Sequence, residues 1–311
     1  MYRIYTPISN DRKKINLSIT SFIEYISYEK KYSDNTVTAY KKDLETFQEF
    51  CNHEFEEINI INAPYSYIRN WIVELVEKNI SNRSINRKVS SLKSYYNFLL
   101  KTKQLKENPL RKHQSLKIAK RINIPFSQKE IEEVINLFDD KIDFESVRDK
   151  LVVELLYTTG MRKAELIGLK NESIDLNQEI VKVLGKRNKE RQIPLLKSVI
   201  DSIRIYQLER RKINSNSEFF FITKKGKKLY STLVYRIIND YFSKVSVKAK
   251  KSPHVIRHSF ATHLLNEGAD LNSVKELLGH ASLASTQVYT HSSLKELKTM
   301  YNNAHPRGNK T

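Results

Sequence analysis

Four polar side chains stand at long, uneven spacings within residues 252–291: His254, Arg257, His280 and Tyr289. A hydrophobic core has no need of that set, but a reaction at a phosphate could use all of it. Arginine grips non-bridging phosphate oxygens through two parallel hydrogen bonds. Histidine donates or shuttles protons near neutral pH. A tyrosine hydroxyl becomes a nucleophile when its surroundings ease the loss of its proton. Two further cations come from earlier in the chain, Arg162 in TGMRKAEL and Lys186 in GKRNKERQIPL. Any one of these residues alone would read as core or surface; the set together points to phosphoryl transfer.

The elements that must hold these groups are readable from local pattern. Arg257 follows His254 by three residues, so on one helix the two share a face. Asp270 or Asn272 can cap a helix over NSVKELL and Gly279 can end it, leaving His280 just past a helix end. Ser282 can cap a second short helix carrying Tyr289. The apolar helix SVRDKLVVELLYTTG ends at Gly160 and another starts at MRKAEL, so Arg162 falls at the junction, with Glu165 on the same face. EIVKVLGKRNKERQIPL predicts a β-hairpin, with Ile180, Val181 and Val183 on one strand and Arg191 to Leu195 on the other. Lys186 opens its basic turn, where one lysine could donate a proton, and Arg187, Lys189 and Arg191 are expected to contact phosphates. SQKEIEEVINLF carries a capping box from Ser127 to Glu130, and EFFFITKKGKKLY predicts a further strand and basic turn.

The first hundred residues carry no such chemistry. Their apolar spacing predicts four helices and no strand: ITSFIEYISYEKKY, SDNTVTAYKKDLETFQEFC, the stretch from Pro64 through YIRNWIVELVEK, and SINRKVSSLKSYYNFLLK. On the fourth, Arg83, Arg87, Lys88 and Lys93 leave a basic outer surface that can lie on DNA phosphates. Asn108–Pro109 stops that helix. The expected organisation is a flexible N-terminus (1–15), a helical domain (16–107), a basic linker (108–123), and a second, mainly α domain with a small β-sheet (124–311).

Charge narrows the partner. Lys and Arg total 54 against 35 Asp and Glu, a formal net charge of +19 over 311 residues, which points to a polyanion. No apolar run approaches the ~20 residues that span a bilayer, and the N-terminus lacks a hydrophobic signal core. Cys51 is the only cysteine, so no internal disulfide and no multi-cysteine zinc site can form. The expectation is a cytoplasmic protein that meets nucleic acid.

TGMRKAEL, GKRNKERQIPL, SPHVIRHSFATHLL, LLGHASLASTQVYTH and the closing HPR, in that order, resemble the tyrosine recombinase family, most closely its Xer branch, which resolves chromosome dimers. YSDNTVTAYKKDL and SINRKVSSLKSYYNFLL extend the resemblance over nearly the whole chain. It implies a two-domain, C-shaped DNA clamp and places the family's catalytic set on Arg162, Lys186, His254, Arg257, His280 and the nucleophile Tyr289. Arg162 and Arg257 would neutralise the non-bridging oxygens, His254 would accept the tyrosine proton, Lys186 would protonate the leaving 5′-oxygen, and His280 would bond a phosphate oxygen. The product would be a 3′-phosphotyrosine. That ester keeps the energy of the broken bond, so no ATP is required; no dense Asp/Glu cluster accompanies the set, so no metal and no other cofactor is implied.

By the same resemblance, the partners are double-stranded DNA with a dif-like site, further protomers in a tetramer, a second Xer protein, and an FtsK-type translocase. The C-terminal helix would dock on a neighbouring protomer. Rival readings are a mobile-element integrase with the same residues, a topoisomerase, an accessory DNA-binding protein without chemistry, and a metal-dependent phosphohydrolase using His254, His258 and His263.

Overall fold

The computed structural model describes residues 18–55, 59–119, 124–185, 190–279 and 291–308, without the side chains of 291–296. The chain divides into two compact units, one ending at Arg121 and the other starting at Ile122. The architecture is mainly α, with one three-stranded antiparallel sheet. No helix among the described residues is long and apolar enough to cross a membrane.

In the first unit, α1 (residues 18–24) continues into a π-helical turn at Tyr25–Glu29, and α2 (Asp34–Glu54), α3 (Tyr65–Glu77) and α4 (Asn82–Lys101) follow. Their apolar faces close on Phe22, Phe47, Trp71, Tyr95, Tyr96 and Leu99, all essentially inaccessible. A buried carboxylate ties α2 to α4. Asp43, 1% exposed, accepts from Arg87, Lys88 and Ser91 at once, the Ser91 and Lys88 bonds being 2.7 and 3.1 Å. An isolated carboxylate there would be costly; three donors, two of them cationic, make its burial tolerable.

The chain after α4 stays on this unit through Lys117. Leu110 is fully buried, and Asn86 of α4 grips the backbone of Leu116 in both directions, at 2.8 and 2.9 Å. Asn82 adds a bond to the Lys117 carbonyl. Much of the stretch expected as linker is therefore fastened to α4; residues 120–123 lie outside the described residues.

The second unit is built around α6 (Phe144–Thr159), which is buried on nearly every side. The Ser127–Glu130 capping box before α5 (Gln128–Asn136) is present, and Asp143 caps α6. Then come α7 (Lys163–Gly168), β1 (Ile174–Asp175), β2 (Ile180–Leu184), β3 (Glu190–Pro194), α8 (Lys197–Arg211), α9 (Ser231–Val245), α10 (Pro253–Asn266), α11 (Leu271–Leu278) and α12 (His291–Ala304). The hairpin forms as its pattern predicts, in a register that sets Val181 opposite Ile193 and Val183 opposite Arg191.

One expectation needs correction. EFFFITKKGKKLY forms no strand: it makes only isolated bridges, Lys170 with Phe219 and Ile222 with Lys228. Phe220, Phe221 and Ile222 are all buried. Side chains of α8 replace a neighbouring strand: the Phe220 carbonyl accepts from Tyr206 and Arg210, and Arg210 also reaches Ser217 and Phe219. The basic turn within it does form, closed by Thr223 and Lys227.

From Leu297 onward α12 is seated on its own unit. Tyr301 is fully buried and its hydroxyl donates to the Thr158 carbonyl at 2.5 Å, while Leu297, Ala304 and His305 are nearly inaccessible. Arg307 of the closing HPR then bonds Glu154 of α6, itself 1% exposed. The apolar stripe of an amphipathic helix takes the nearest apolar partner, and here α6 and α10 supply it.

Candidate active site

Three arginines converge on the last turn of α11. The four final carbonyls of a helix have no intrahelical partner, and they carry the negative end of its dipole. Here three successive carbonyls each take one guanidinium: Leu277 from Arg191 at 2.9 Å, Leu278 from Arg257 at 2.7 Å, and Gly279 from Arg162 at 3.5 Å. The helix ends there because Gly279 adopts the left-handed conformation (φ +64), and Asp270 caps its start through the Asn272 and Ser273 amides.

Each arginine arrives on a different element. Arg162 is the N-cap of α7, directly after the left-handed turn at Gly160 (φ +59) that ends α6. A Cβ on Gly160 would stand 2.3 Å from the Phe260 ring, so α6 and α10 meet this closely only because that position is glycine. Arg257 lies on α10, with Pro253 opening the helix and His254 one turn before. Its second bond, at 2.6 Å, goes to the Gly160 carbonyl, so it joins the C-terminal ends of α6 and α11. Arg191 projects inward from β3 on the same face as Ile193.

Glu165 is the carboxylate at the centre. Its two oxygens accept four bonds, two from Arg162 (side chain 2.8 Å, backbone amide 2.7 Å) and two from Arg191 (3.1 and 2.8 Å). Burial pushes its pKa up, but the hydrogen bonds and charges of Arg191 and Arg162 outweigh this and hold it below the ordinary value. Three cations around one anion leave a net positive site. Burial, then the charge of Arg162, brings Arg257 down to about 10, which keeps it protonated at neutral pH.

His254 is exposed at the edge of this cluster. Partial burial, then the charges of Lys163, Lys250, Arg257 and Arg162, hold its pKa below the ordinary 6.5. Its imidazole is therefore neutral at pH 7 and able to accept a proton. The expected NMR titration of His254 has its midpoint below 6.5, and Lys163→Gln raises it; a midpoint above 6.5 in the free protein would contradict this electrostatic picture.

The structure thus gathers Arg162, His254 and Arg257 of the expected catalytic set. Lys186, His280 and Tyr289 lie outside the described residues, as do Arg187 and Lys189. Arg83 and Lys93 are exposed on α4. Arg87 and Lys88 are both bonded to Asp43; Lys88, with its side chain 16% exposed and 5.7 Å over the Trp71 ring, serves packing more than surface charge. Arg191, expected to contact DNA, is corrected: at 6% exposure, and with its donors given to Glu165 and Leu277, it builds the site from beneath. Alternation along RQIPL could have shown this, since it sets Arg191 on the face of Ile193. His263, the third histidine of the phosphohydrolase reading, is buried and bonded to the Tyr157 hydroxyl at 2.9 Å.

Comparison with known proteins decides the family. The sequence profile of the phage integrase family matches residues 125–296, and that of the phage integrase N-terminal SAM-like domain matches residues 19–103. The chain belongs to the phage integrase family. Among the relatives of this integrase-family chain are the tyrosine recombinase XerC of Bacillus subtilis, 38% identical over 295 residues (92% of this chain, 95% of that protein), and that of Chlorobaculum parvum, 35% identical over 312 residues (92% and 93%). The fold matches a crystal structure of XerH site-specific recombinase bound to palindromic difH substrate, with TM-score 0.72 at 19% identity, covering 96% of this chain and 98% of that one.

Proposed function

We propose that this chain is a site-specific tyrosine recombinase that cuts and rejoins double-stranded DNA through a 3′-phosphotyrosine on Tyr289, and that it resolves chromosome dimers at a dif-like site. The observation that carries the chemistry is the set of three arginines on the α11 end, preorganised around one carboxylate and net positive, in a chain that matches XerC proteins along nine-tenths of its length. Donors fixed before the reaction need no reorganisation when charge develops. Arg162 and Arg257 take the non-bridging oxygens of the scissile phosphate. His254, neutral at pH 7, accepts the Tyr289 proton as the phenolic oxygen attacks phosphorus. The bond from phosphorus to the 5′-oxygen breaks, Lys186 protonates that oxygen, and His280 bonds a phosphate oxygen. Attack by a 5′-hydroxyl from a partner duplex reverses the step and exchanges the strands.

Both units would bind one DNA half-site, with Arg83 and Lys93 on α4 and Arg187 and Lys189 at the hairpin turn on phosphates. Four protomers would form the synapse in the cytoplasm, with a second Xer protein and an FtsK-type translocase as the further partners that the resemblance to the Xer branch implies. The test is a nicked suicide substrate carrying a dif-like site, incubated with EDTA and without ATP. Wild type is expected to give an SDS-resistant protein–DNA adduct and Tyr289→Phe none, with DNA binding intact in both. An adduct formed by Tyr289→Phe, or cleavage that needs a divalent metal, would overturn the proposal.

A further inference from the structure

We propose that Arg191 is a positioning residue for DNA cleavage: it neutralises and fixes Glu165, so that Arg162 stays oriented while its charge remains available to the phosphate. This rests on the phosphoryl-transfer reading above. The geometry gives Arg191 three tasks. Its Nη1 and Nη2 take both oxygens of Glu165, at 3.1 and 2.8 Å, in the two-pronged arrangement that a guanidinium makes with a carboxylate. Its Nε holds the Leu277 carbonyl, next to the two carbonyls that receive Arg257 and Arg162. Its side chain passes against Gly279, where a Cβ would lie 3.2 Å from the Arg191 Cδ and Nη1. Strand β3, helix α7 and the end of α11 are thereby locked to one buried group.

The electrostatic consequence is specific. With Arg162 as its sole partner, Glu165 would cancel the charge that has to meet the phosphate, and the pair would present no net cation. Arg191, whose side chain is 7% exposed against 27% for Arg162, carries the charge balance of Glu165 from below. Arg162 can then keep its geometry through Glu165 and still face an anion as a cation. Lysine cannot substitute fully. Its charge sits on one nitrogen, which cannot span both carboxylate oxygens and the Leu277 carbonyl.

The experiment uses full-length wild type, Arg191→Lys and Arg191→Gln on a suicide DNA substrate, with Tyr289→Phe as the blank. Thermal melting reports folding; should Arg191→Gln not fold, Arg191→Lys, which keeps the buried charge, carries the test. DNA affinity is expected to stay within about twofold, because Arg191 does not reach solvent, whereas adduct formation at saturating DNA slows by about 10²-fold, the scale of a misplaced catalytic group. A second substrate replaces one non-bridging oxygen of the scissile phosphate by methyl and so removes the charge that Arg162 meets. On it, the gap between wild type and Arg191→Lys is expected to shrink.

Weakened DNA binding with unchanged cleavage at saturation would make Arg191 a DNA contact and overturn the proposal. Equal slowing on both substrates would reduce it to a folding residue and overturn it as well. A wild type that forms no adduct on either substrate would instead remove the phosphoryl-transfer reading, and this inference with it.

Discussion

Replacing Arg257 by alanine is expected to slow covalent adduct formation by about 10³-fold or more, while DNA affinity changes little. Removing a single preorganised donor from a transition-state site costs about 10²–10³ in rate, and removing an arginine that meets a transferring phosphoryl group costs about 10³–10⁵. Arg257 belongs with the second group, because its guanidinium is fixed by the ends of two helices before any DNA arrives. Its Nη1 is on the Gly160 carbonyl and its Nη2 on the Leu278 carbonyl, and the remaining N–H groups are those we assign to the phosphate. Arg257→Lys is expected to lose nearly as much, since one ammonium cannot bridge two helix ends and also grip an oxyanion. Single-turnover cleavage at saturating DNA is the measurement. Lysine restoring most of the rate would mean that only charge matters at this position.

Arg307→Ala is expected to destabilise the second unit by about 3–5 kcal/mol, the usual result of stripping one partner from a buried ion pair. For a unit of this size that lowers the melting temperature by roughly 6–20 °C. Glu154, 1% exposed on α6, would remain without its cation, and the anchor that holds the chain after α12 would be gone. Burial already raises the Glu154 pKa despite Arg307, and losing Arg307 raises it further. A carboxyl whose folded pKa lies above its unfolded value binds more protons when folded, so stability rises as pH falls. The deficit of Arg307→Ala should therefore shrink from pH 8 towards pH 5, and thermal melts across that range would show it. The double variant Glu154→Leu/Arg307→Met, which leaves no buried charge behind, is expected to recover most of the loss; a double variant as unstable as the single one would show that the ion pair was not the cause.

The residue types of the site and the local frame that carries them were legible along the chain. Capping chemistry acts within a few residues, so the Ser127–Glu130 box and the stops at Gly160 and Gly279 were legible, and the start of α11 was narrowed to Asp270 or Asn272, of which Asp270 is the cap. Period and turn chemistry gave the β2–β3 hairpin, and helical spacing put His254 and Arg257 on one helix. The ordered motifs gave the family. Pairings between distant positions emerged only with the fold. Arg162 meets Gly279 across 117 residues, Arg257 meets Gly160 across 97, and Arg191 meets Leu277 across 86.

No local rule says which cation a buried carboxylate will take. Lys88 read as a DNA surface until Asp43 of another helix took it, Arg87 bonds the same carboxylate and stays exposed, and Arg191 read as a DNA contact until the fold set it beneath Glu165. The same holds for apolar runs. Phe220, Phe221 and Ile222 resemble a strand in isolation, but side chains of α8 satisfy their backbone and the core takes all three. A buried charge goes to whichever opposite charge the chain path brings within reach, and burial makes that choice costly to reverse.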